Sequence, residues 1–249
     1  MLVDIHCHLY DEAFSKDINK VIEKAEKNDV SHVICAGLNQ DTNKKTLELS
    51  KRFSIVKSSL GLYPLDAINL NEDKISETLD FISKNKNKII AISEVGLDFK
   101  DENSNFKKQK QIFEKIITLT ERLKLPIIVH SRKAEKECIE MLQSSKIKKI
   151  IMHSFTGKFN LVKQISDNNW NLSIPANVTH STHFQNIVDK IDISQLLTET
   201  DSPYLSPNKL KRNEPSNIIY SIKKISKIKN LTIEETKKII FFNFQKIFL

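Results

Sequence analysis

Short apolar segments rich in Ile, Val and Leu recur along the chain, and each is followed by a longer, more polar segment. The apolar segments are residues 2–5, 32–36, 55–60, 89–92, 126–129, 149–152, 171–174 and 196–198. The intervening segments show helical spacing, as in residues 105–124, where apolar positions recur every three or four residues. Buried strands alternating with amphipathic helices predict parallel β/α units. Eight such units favour a single (β/α)₈ TIM barrel, with a doubly wound open sheet as the alternative.

Composition narrows the class of protein. Of 249 residues, 39% are hydrophobic and 28% are charged, which excludes a disordered chain. No apolar run approaches the roughly 20 residues of a membrane-spanning helix. Three cysteines without CxxC spacing argue against a disulfide framework or a cysteine-based zinc site. We therefore expect one barrel domain over residues 1–249, in the cytoplasm, with no membrane association and no protein partner readable from the sequence.

The charge balance is basic, with 39 Lys and Arg against 31 Asp and Glu, a net charge of +8. The lysines are spread along the chain beside many Asn and Ile residues, a pattern typical of solvated helix surfaces. The charge is compatible with an anionic substrate but does not identify one.

Residues that commonly bind metals stand at the ends of several predicted strands. They are His6, His8, Glu94, His130, His153 and Asp201. Alternation along the first strand places His6 and His8 on one face and Cys7 on the other. The carboxyl ends of all strands open onto one rim of a barrel, so we expect the six side chains to converge. Nitrogen and oxygen ligands without sulfur suit Zn²⁺, Mn²⁺ or Mg²⁺, and Glu94 could bridge two ions.

Five motifs carry a resemblance to a known family. In order, they are residues 6–8, 94–98, 128–132, 153–157 and 199–204, and the loop 212–215 and the helix with Asn243 fit as well. This set resembles the TatD-type metal-dependent deoxyribonucleases of the amidohydrolase superfamily. The resemblance implies a metal-bearing barrel that hydrolyses phosphodiester bonds of DNA.

The resemblance also implies roles for individual residues. One divalent ion would have the ligands His6, His8, Glu94 and Asp201, and a second ion would have Glu94, His130 and His153. Asp201 would also orient or deprotonate the attacking water, so Glu94 and Asp201 are the expected catalytic residues. The implied activity is that of a 3′–5′ exonuclease, with single-stranded DNA as the substrate.

Three further residues are candidates for binding the substrate. Where the family often has His in a Gly-x-His-Pro motif, this chain has Tyr63. Tyrosine can donate a hydrogen bond to a phosphate, but its ordinary pKa of about 10 prevents it from shuttling protons at neutral pH. Arg132 and Arg212 could bind phosphate through their guanidinium groups. Ion pairs with Asp98 or Glu214 are their structural alternative, and Asp98 could instead orient a metal-binding histidine.

Two other functions are compatible with the same residues. The same metal site could hydrolyse an ester or amide bond, as in D-aminoacyl-tRNA deacylation. A non-catalytic barrel could bind nucleic acid through its basic surface after losing the histidine at position 63. Because all six ligand positions are filled, the sequence favours a hydrolase.

Overall fold

The computed structural model describes residues 1–100, 105–208 and 212–249. Its eight strands form one parallel sheet in sequence order. They are β1 (Leu2–Cys7), β2 (Val30–Ala36), β3 (Val56–Leu60), β4 (Ala91–Gly96), β5 (Ile127–His130), β6 (Ile150–Met152), β7 (Asn171–Pro175) and β8 (Leu196–Glu199). The chain after β8 returns to β1, where Asp201 N donates to His6 O at 2.9 Å and His8 N donates to Ser202 O at 2.8 Å. The sheet is therefore a nearly closed (β/α)₈ barrel, which confirms the predicted fold.

Helices follow the strands and cover the outside of the barrel. Those of the described residues are α1 (Ile18–Lys27), α2 (Gln40–Arg52), α3 (Pro64–Ala67), α4 (Glu72–Lys84), α5 (Phe106–Leu123), α6 (Glu135–Gln143), α7 (Phe159–Asp167), α8 (Thr182–Lys190), α9 (Ile218–Lys229) and α10 (Ile233–Phe248). None of these is long and apolar enough to cross a membrane.

The long segment 105–124 forms a helix, as its spacing predicts. The side chain of Asn105 accepts a hydrogen bond from Lys108 N and caps the start of α5. Lys124 ends the helix in the left-handed conformation, with a φ of 58°. The buried face of α5 includes Ile112, Phe113 and Ile116, which pack into the core around the barrel.

The fourth strand lies further along the chain than the apolar segment 89–92. It covers Ala91–Gly96 and therefore includes Ser93 and Glu94, which are 0% and 5% exposed. Apolar continuity is a poor guide to a strand at this point, because the interior near the rim of the barrel accommodates polar side chains. Glu94 is consequently held by a regular strand and not by a loop.

The last helix closes the amino-terminal end of the barrel. Phe244 of α10 is completely buried, and its ring centroid lies 4.9 Å from that of His32 in β2. The Asn243 side chain donates to the backbone oxygens of Ile193 and Leu196 at 2.7 and 2.8 Å, where β8 begins. Phe244 therefore anchors this helix against the barrel, whereas Phe242 is exposed.

Candidate metal centre and active-site cleft

The predicted metal ligands lie together at the carboxyl-terminal rim of the barrel. His6 is in β1 and Glu94 is in β4, while His130 is the last residue of β5. His8, His153 and Asp201 follow β1, β6 and β8 within two residues of the strand ends. Convergence of the strands at one rim, which places these residues together, also buries them: the side chains are between 0% and 16% exposed.

The carboxylate of Glu94 lies at the centre of this cluster, with a pair of histidines on each side. Its Oε2 atom lies 3.3 Å from His6 Nε2 and 3.6 Å from His8 Nε2. Its Oε1 atom lies 2.8 Å from His130 Nδ1 and 3.6 Å from His153 Nε2. Each carboxylate oxygen therefore faces a different pair of imidazoles.

Asp201 lies on the His6 and His8 side of the cluster. Its Oδ1 atom is 3.3 Å from His8 Nε2 and 3.8 Å from His6 Nε2. With a side chain 16% exposed, Asp201 is more accessible than Glu94 at 6%. Asp201 is therefore the carboxylate of the cluster that is better placed to meet water in the cleft.

The cluster has the donor atoms and the spacing of a divalent metal centre. Ligand atoms of His6, His8 and Asp201 lie within 4.8 Å of one another, and so do those of His6, Glu94 and His153. The Nε2 atom of His6 is buried without a hydrogen-bond partner among the described residues, so its lone pair is available to a cation. Imidazole and carboxylate ligands suit Zn²⁺ and Mn²⁺, and carboxylates also suit Mg²⁺. The residues present therefore fit a divalent metal.

Buried hydrogen bonds hold two of these imidazoles. His153 Nδ1 donates to Glu199 Oε2 at 2.9 Å, and Ser173 Oγ donates to the same oxygen at 2.6 Å. His8 Nδ1 lies 3.2 Å from the carbonyl oxygen of Ala36, which can only accept. In both rings Nδ1 therefore carries a proton, and Nε2 is the nitrogen that faces the cluster and would bind a metal.

His130 is held by a carboxylate that also binds Tyr63. The Nε2 atom of His130 lies 3.1 Å from Asp98 Oδ2, and the Tyr63 hydroxyl donates to the same oxygen at 2.7 Å. Lys100 N donates to the other carboxylate oxygen at 2.9 Å. Burial raises the pKa of Asp98, but the hydrogen bonds from His130 and Tyr63 outweigh it and lower the pKa to about 2. Asp98 is therefore an ionised acceptor at neutral pH.

A cleft of about 530 Å³ opens above the cluster. It is lined by His8, Leu38, Tyr63, Glu94, His130, Ser131, Arg132, His153, Ser154, Thr156, Asn177, Phe184, Asp201, Tyr204 and Leu205. The Arg132 side chain is half exposed there, with Nη1 3.8 Å from Asp98 Oδ2. This volume is in the usual range of a ligand site, and polar groups converge on its floor.

A protein-family model described as "TatD related DNase" matches residues 3–249. The chain belongs to the TatD family. It is 38% identical over 246 residues to an uncharacterized metal-dependent hydrolase of Methanocaldococcus jannaschii, with 99% of this chain and 96% of that protein covered. It is 33% identical over 259 residues to Deoxyribonuclease TATDN3 of Homo sapiens, with 99% and 94% covered. The site is accordingly that of a metal-dependent hydrolase.

Solved structures of TatD proteins share the fold. The TatD homologue YjjV of Escherichia coli superposes with a TM-score of 0.93 at 20% identity, covering 99% of this chain and 97% of that one. A TatD family hydrolase of Entamoeba histolytica gives a TM-score of 0.91 at 25% identity, covering 100% and 98%. This chain therefore shares the barrel fold of these TatD proteins over nearly its whole length.

Electrostatics in this TatD site favour a positive charge at the rim. Burial raises the pKa of Glu94 and of Asp201, but the neighbouring histidines, led by His130 for Glu94 and by His8 for Asp201, outweigh it and lower both. Conversely, burial lowers the pKa of His8, but Asp201 and Glu94 raise it overall to about 9. The two carboxylates are ionised and attract a cation, which a proton or a divalent metal can supply.

A buried aspartate in the first strand connects the strand ends that carry His6 and Asp201. Asp4 accepts hydrogen bonds from Thr200 N at 2.8 Å and from the Thr200 hydroxyl at 2.5 Å. It also accepts from His6 N at 3.3 Å. Asp4 thereby fixes His6 relative to Asp201, which follows Thr200.

Two glycines let the backbone approach the ligand-bearing strands. A Cβ atom on Gly61 would lie 2.5 Å from the carbonyl carbon of Ser93, beside Glu94. Gly96 has a φ of 137°, and a Cβ there would lie 2.0 Å from the backbone oxygen of His130. Both positions require glycine for the rim to pack in this way.

The sequence-based candidates for substrate binding lie in two different places. Tyr63 and Arg132 line the cleft, whereas Arg212 is not among the described residues that line it. The two terminal nitrogens of Arg212 donate to the Asp17 carboxylate at 2.8 Å each, and Nη2 also donates to Glu214 at 3.0 Å. The structural ion pair with Glu214 is thus present, and a role for Arg212 in substrate binding stays a prediction.

Sequence reasoning missed Glu199 as a functional residue. It is completely buried and orients His153. A signal was available, since Glu199 stands two positions before Asp201 and alternation places such residues on the same face of a strand. The sequence offered no comparable indication that the Tyr10 hydroxyl would lie 3.0 Å from His8 Nδ1.

Proposed function

We propose that this TatD-family hydrolase cleaves phosphodiester bonds of DNA as a 3′–5′ exonuclease on single strands, with two divalent ions bound at the rim. The observation that carries the proposal is the position of Glu94, whose Oε1 and Oε2 atoms face different pairs of histidines. A carboxylate in this position suits a bridge between two ions. The human relative named Deoxyribonuclease TATDN3 supports DNA as the substrate.

The proposed ligand sets follow the two sides of Glu94. They are His6, His8, Glu94 and Asp201 on one side, and Glu94, His130 and His153 on the other. Bound there, two ions of Zn²⁺, Mn²⁺ or Mg²⁺ would lower the pKa of a water molecule and stabilise charge on the phosphoryl oxygens.

The chain's own residues orient the reaction. Asp201 holds the attacking water through Oδ1 and accepts its proton, since it is the more accessible of the two carboxylates. Arg132, half exposed in the cleft, donates to a phosphate oxygen of the substrate. Buried Glu199 and Asp98 keep the rings of His153 and His130 in place during the attack.

Preference for a strand end is supported by the shape of the cleft. Its volume of about 530 Å³ suits a small group such as a terminal nucleotide better than a continuous duplex. Tyr204, which is 56% exposed at the edge of this cleft, offers an aromatic face on which an unpaired base can stack. The net charge of +8 assists the approach of a polyanion.

The test is a time course on single-stranded DNA labelled at its 5′ end, with Mg²⁺, Mn²⁺ or Zn²⁺. We expect a ladder that shortens from the 3′ end and is absent with a chelator or with the isosteric variant Glu94→Gln. A 3′-labelled strand tests polarity, because attack from the 5′ end would leave its label on progressively shorter fragments. An equally fast duplex reaction would contradict the single-strand preference. Intact DNA with metal bound would contradict the nuclease and favour ester or amide hydrolysis.

A further inference from the structure

Tyr63 uses its only hydroxyl proton within the protein. A tyrosine hydroxyl has one proton to donate, and Tyr63 donates it to Asp98 Oδ2 at 2.7 Å. Asp98 is completely buried, and an ionised carboxylate can only accept hydrogen bonds. A phosphate oxygen also only accepts, so Tyr63 cannot donate to a phosphate while its bond to Asp98 is intact.

The same oxygen of Asp98 continues the chain of contacts to a metal-ligand candidate. His130 Nε2 lies 3.1 Å from Asp98 Oδ2, and His130 Nδ1 lies 2.8 Å from Glu94 Oε1. The Tyr63 ring also packs edge-on against the His130 ring, with the centroids 5.1 Å apart and the planes at 73°. Tyr63 therefore restrains the imidazole both through Asp98 and by direct contact.

We infer that Tyr63 is a positioning residue, which acts through Asp98 to hold His130 toward the Oε1 side of Glu94, and that it is not a ligand of the substrate phosphate. The phosphate contact then belongs to Arg132, whose half-exposed guanidinium lies beside Asp98 in the cleft. Arginine carries several donors, so it can approach Asp98 and still donate to a phosphate. The role of Tyr63 is thus to orient His130, a candidate metal ligand.

The backbone of Asp98 is fixed independently of Tyr63. Asp98 N donates to Gln109 Oε1 and Gln109 Nε2 donates to Asp98 O, both at 2.8 Å. Lys100 N holds the Oδ1 atom at 2.9 Å. Removing the Tyr63 hydroxyl should therefore loosen the Oδ2 side of Asp98 without unfolding the loop, which makes Tyr63→Phe an informative variant.

This inference rests on the proposed metal site, and the first experiment is independent of DNA. Mn²⁺ is titrated calorimetrically into the metal-free protein, into Tyr63→Phe and into Tyr220→Phe, which removes a tyrosine hydroxyl in α9 away from the cleft. We expect Tyr63→Phe to weaken one of the Mn²⁺-binding steps by about 10-fold, as loss of an orienting partner does, and Tyr220→Phe to match the parent. Unchanged Mn²⁺ affinity in Tyr63→Phe would overturn the inference.

The route through Asp98 is tested with Asp98→Asn and the double variant. If Tyr63 acts through Asp98, Tyr63→Phe should weaken Mn²⁺ binding less in the Asp98→Asn background than in the parent. Equal effects in both backgrounds would overturn that route.

The kinetic test separates positioning from substrate contact. With DNA as substrate, Tyr63→Phe should lower kcat at limiting Mn²⁺, recover it at high Mn²⁺ and leave KM for DNA within about 2-fold. A raised KM that Mn²⁺ does not restore would identify a substrate contact and overturn the inference. If no variant or parent cleaves DNA, the proposed function fails, while the Mn²⁺ titration still decides the role of Tyr63.

Discussion

The two ends of the barrel use histidine in opposite ways. At the amino-terminal end, the ring of His32 packs 4.9 Å from Phe244, and burial, followed by the charge of Lys57, lowers its pKa. At the carboxyl-terminal rim, burial also lowers the pKa of His153, but the charge of Glu199 and its hydrogen bond raise the pKa to about 10. The same side chain is a neutral aromatic at one end and a partner of carboxylates at the other.

The amino-terminal end of the barrel therefore contributes mainly to stability, and the carboxyl-terminal rim contributes mainly to chemistry. A buried carboxylate contributes little to the free energy of folding unless a partner offsets its loss of hydration. The rim is where the buried carboxylates of the metal centre, such as Glu94, are found. The opposite end buries apolar groups such as Phe244, whose removal from water stabilises the fold. Substitutions at the two ends should therefore have separable effects on activity and on the free energy of unfolding.

The largest effect is expected from Glu94→Gln. This change keeps the shape of the side chain but removes the charge that faces both pairs of histidines. Hydrolysis should fall by about 10³-fold or more, since a central electrostatic contribution to the transition state is lost. Metal content measured by mass spectrometry should fall with it, while circular dichroism and the melting temperature stay near those of the parent. Loss of folding in Glu94→Gln would contradict the separation of the two ends.

Phe244→Ala tests the opposite end. Removing this completely buried ring should lower the free energy of unfolding by about 3–5 kcal/mol, as for other buried aromatic residues. Phe242→Ala on the same helix is the matched control: that ring is 55% exposed, and its removal should change stability by no more than about 0.5 kcal/mol. Denaturant unfolding measures both. Metal content of folded Phe244→Ala should equal that of the parent, and a selective loss of metal would show that the two ends are coupled.

Glu199→Gln tests the hydrogen bonds behind the metal ligands. The amide oxygen can still accept from both His153 Nδ1 and Ser173 Oγ, which donate to one oxygen of Glu199, but the amide carries no negative charge to face the His153 ring. Metal affinity or activity should fall by about 10- to 100-fold, less than for Glu94→Gln. A competition assay with a fluorescent chelator gives the affinity. An effect as large as that of Glu94→Gln would place Glu199 among the groups that bind the metal directly.

The smallest effects distinguish the two arginines. Arg132→Ala should raise KM for DNA by about 10-fold, since a hydrogen bond to a charged group is lost from the cleft. Arg212→Ala should leave KM unchanged, because that guanidinium is engaged by Asp17 and Glu214. Steady-state kinetics at two salt concentrations measure both variants. A raised KM in Arg212→Ala would instead support the prediction that Arg212 binds the substrate.

The sequence was sufficient to predict the barrel and the convergence of the six candidate metal ligands. The periodicity of the strands indicates the barrel, and the shared rim of a parallel barrel brings the six side chains together. The sequence did not predict contacts between residues that are distant along the chain. Arg212 pairs with Asp17, 195 positions away, and no local pattern separates that pair from a phosphate-binding arginine. Likewise, the bond from Tyr63 to Asp98 depends on how two loops meet at the rim, which residue types alone do not reveal.

The most direct test of the central claim is a crystal structure of the protein with Mn²⁺, measured for anomalous scattering. Glu94 in a bridging position predicts two anomalous peaks about 3.5–4 Å apart, one on the Oε2 side beside His6 and His8 and one on the Oε1 side beside His130 and His153. A single peak at saturating Mn²⁺, or peaks that do not contact Glu94, would contradict the account.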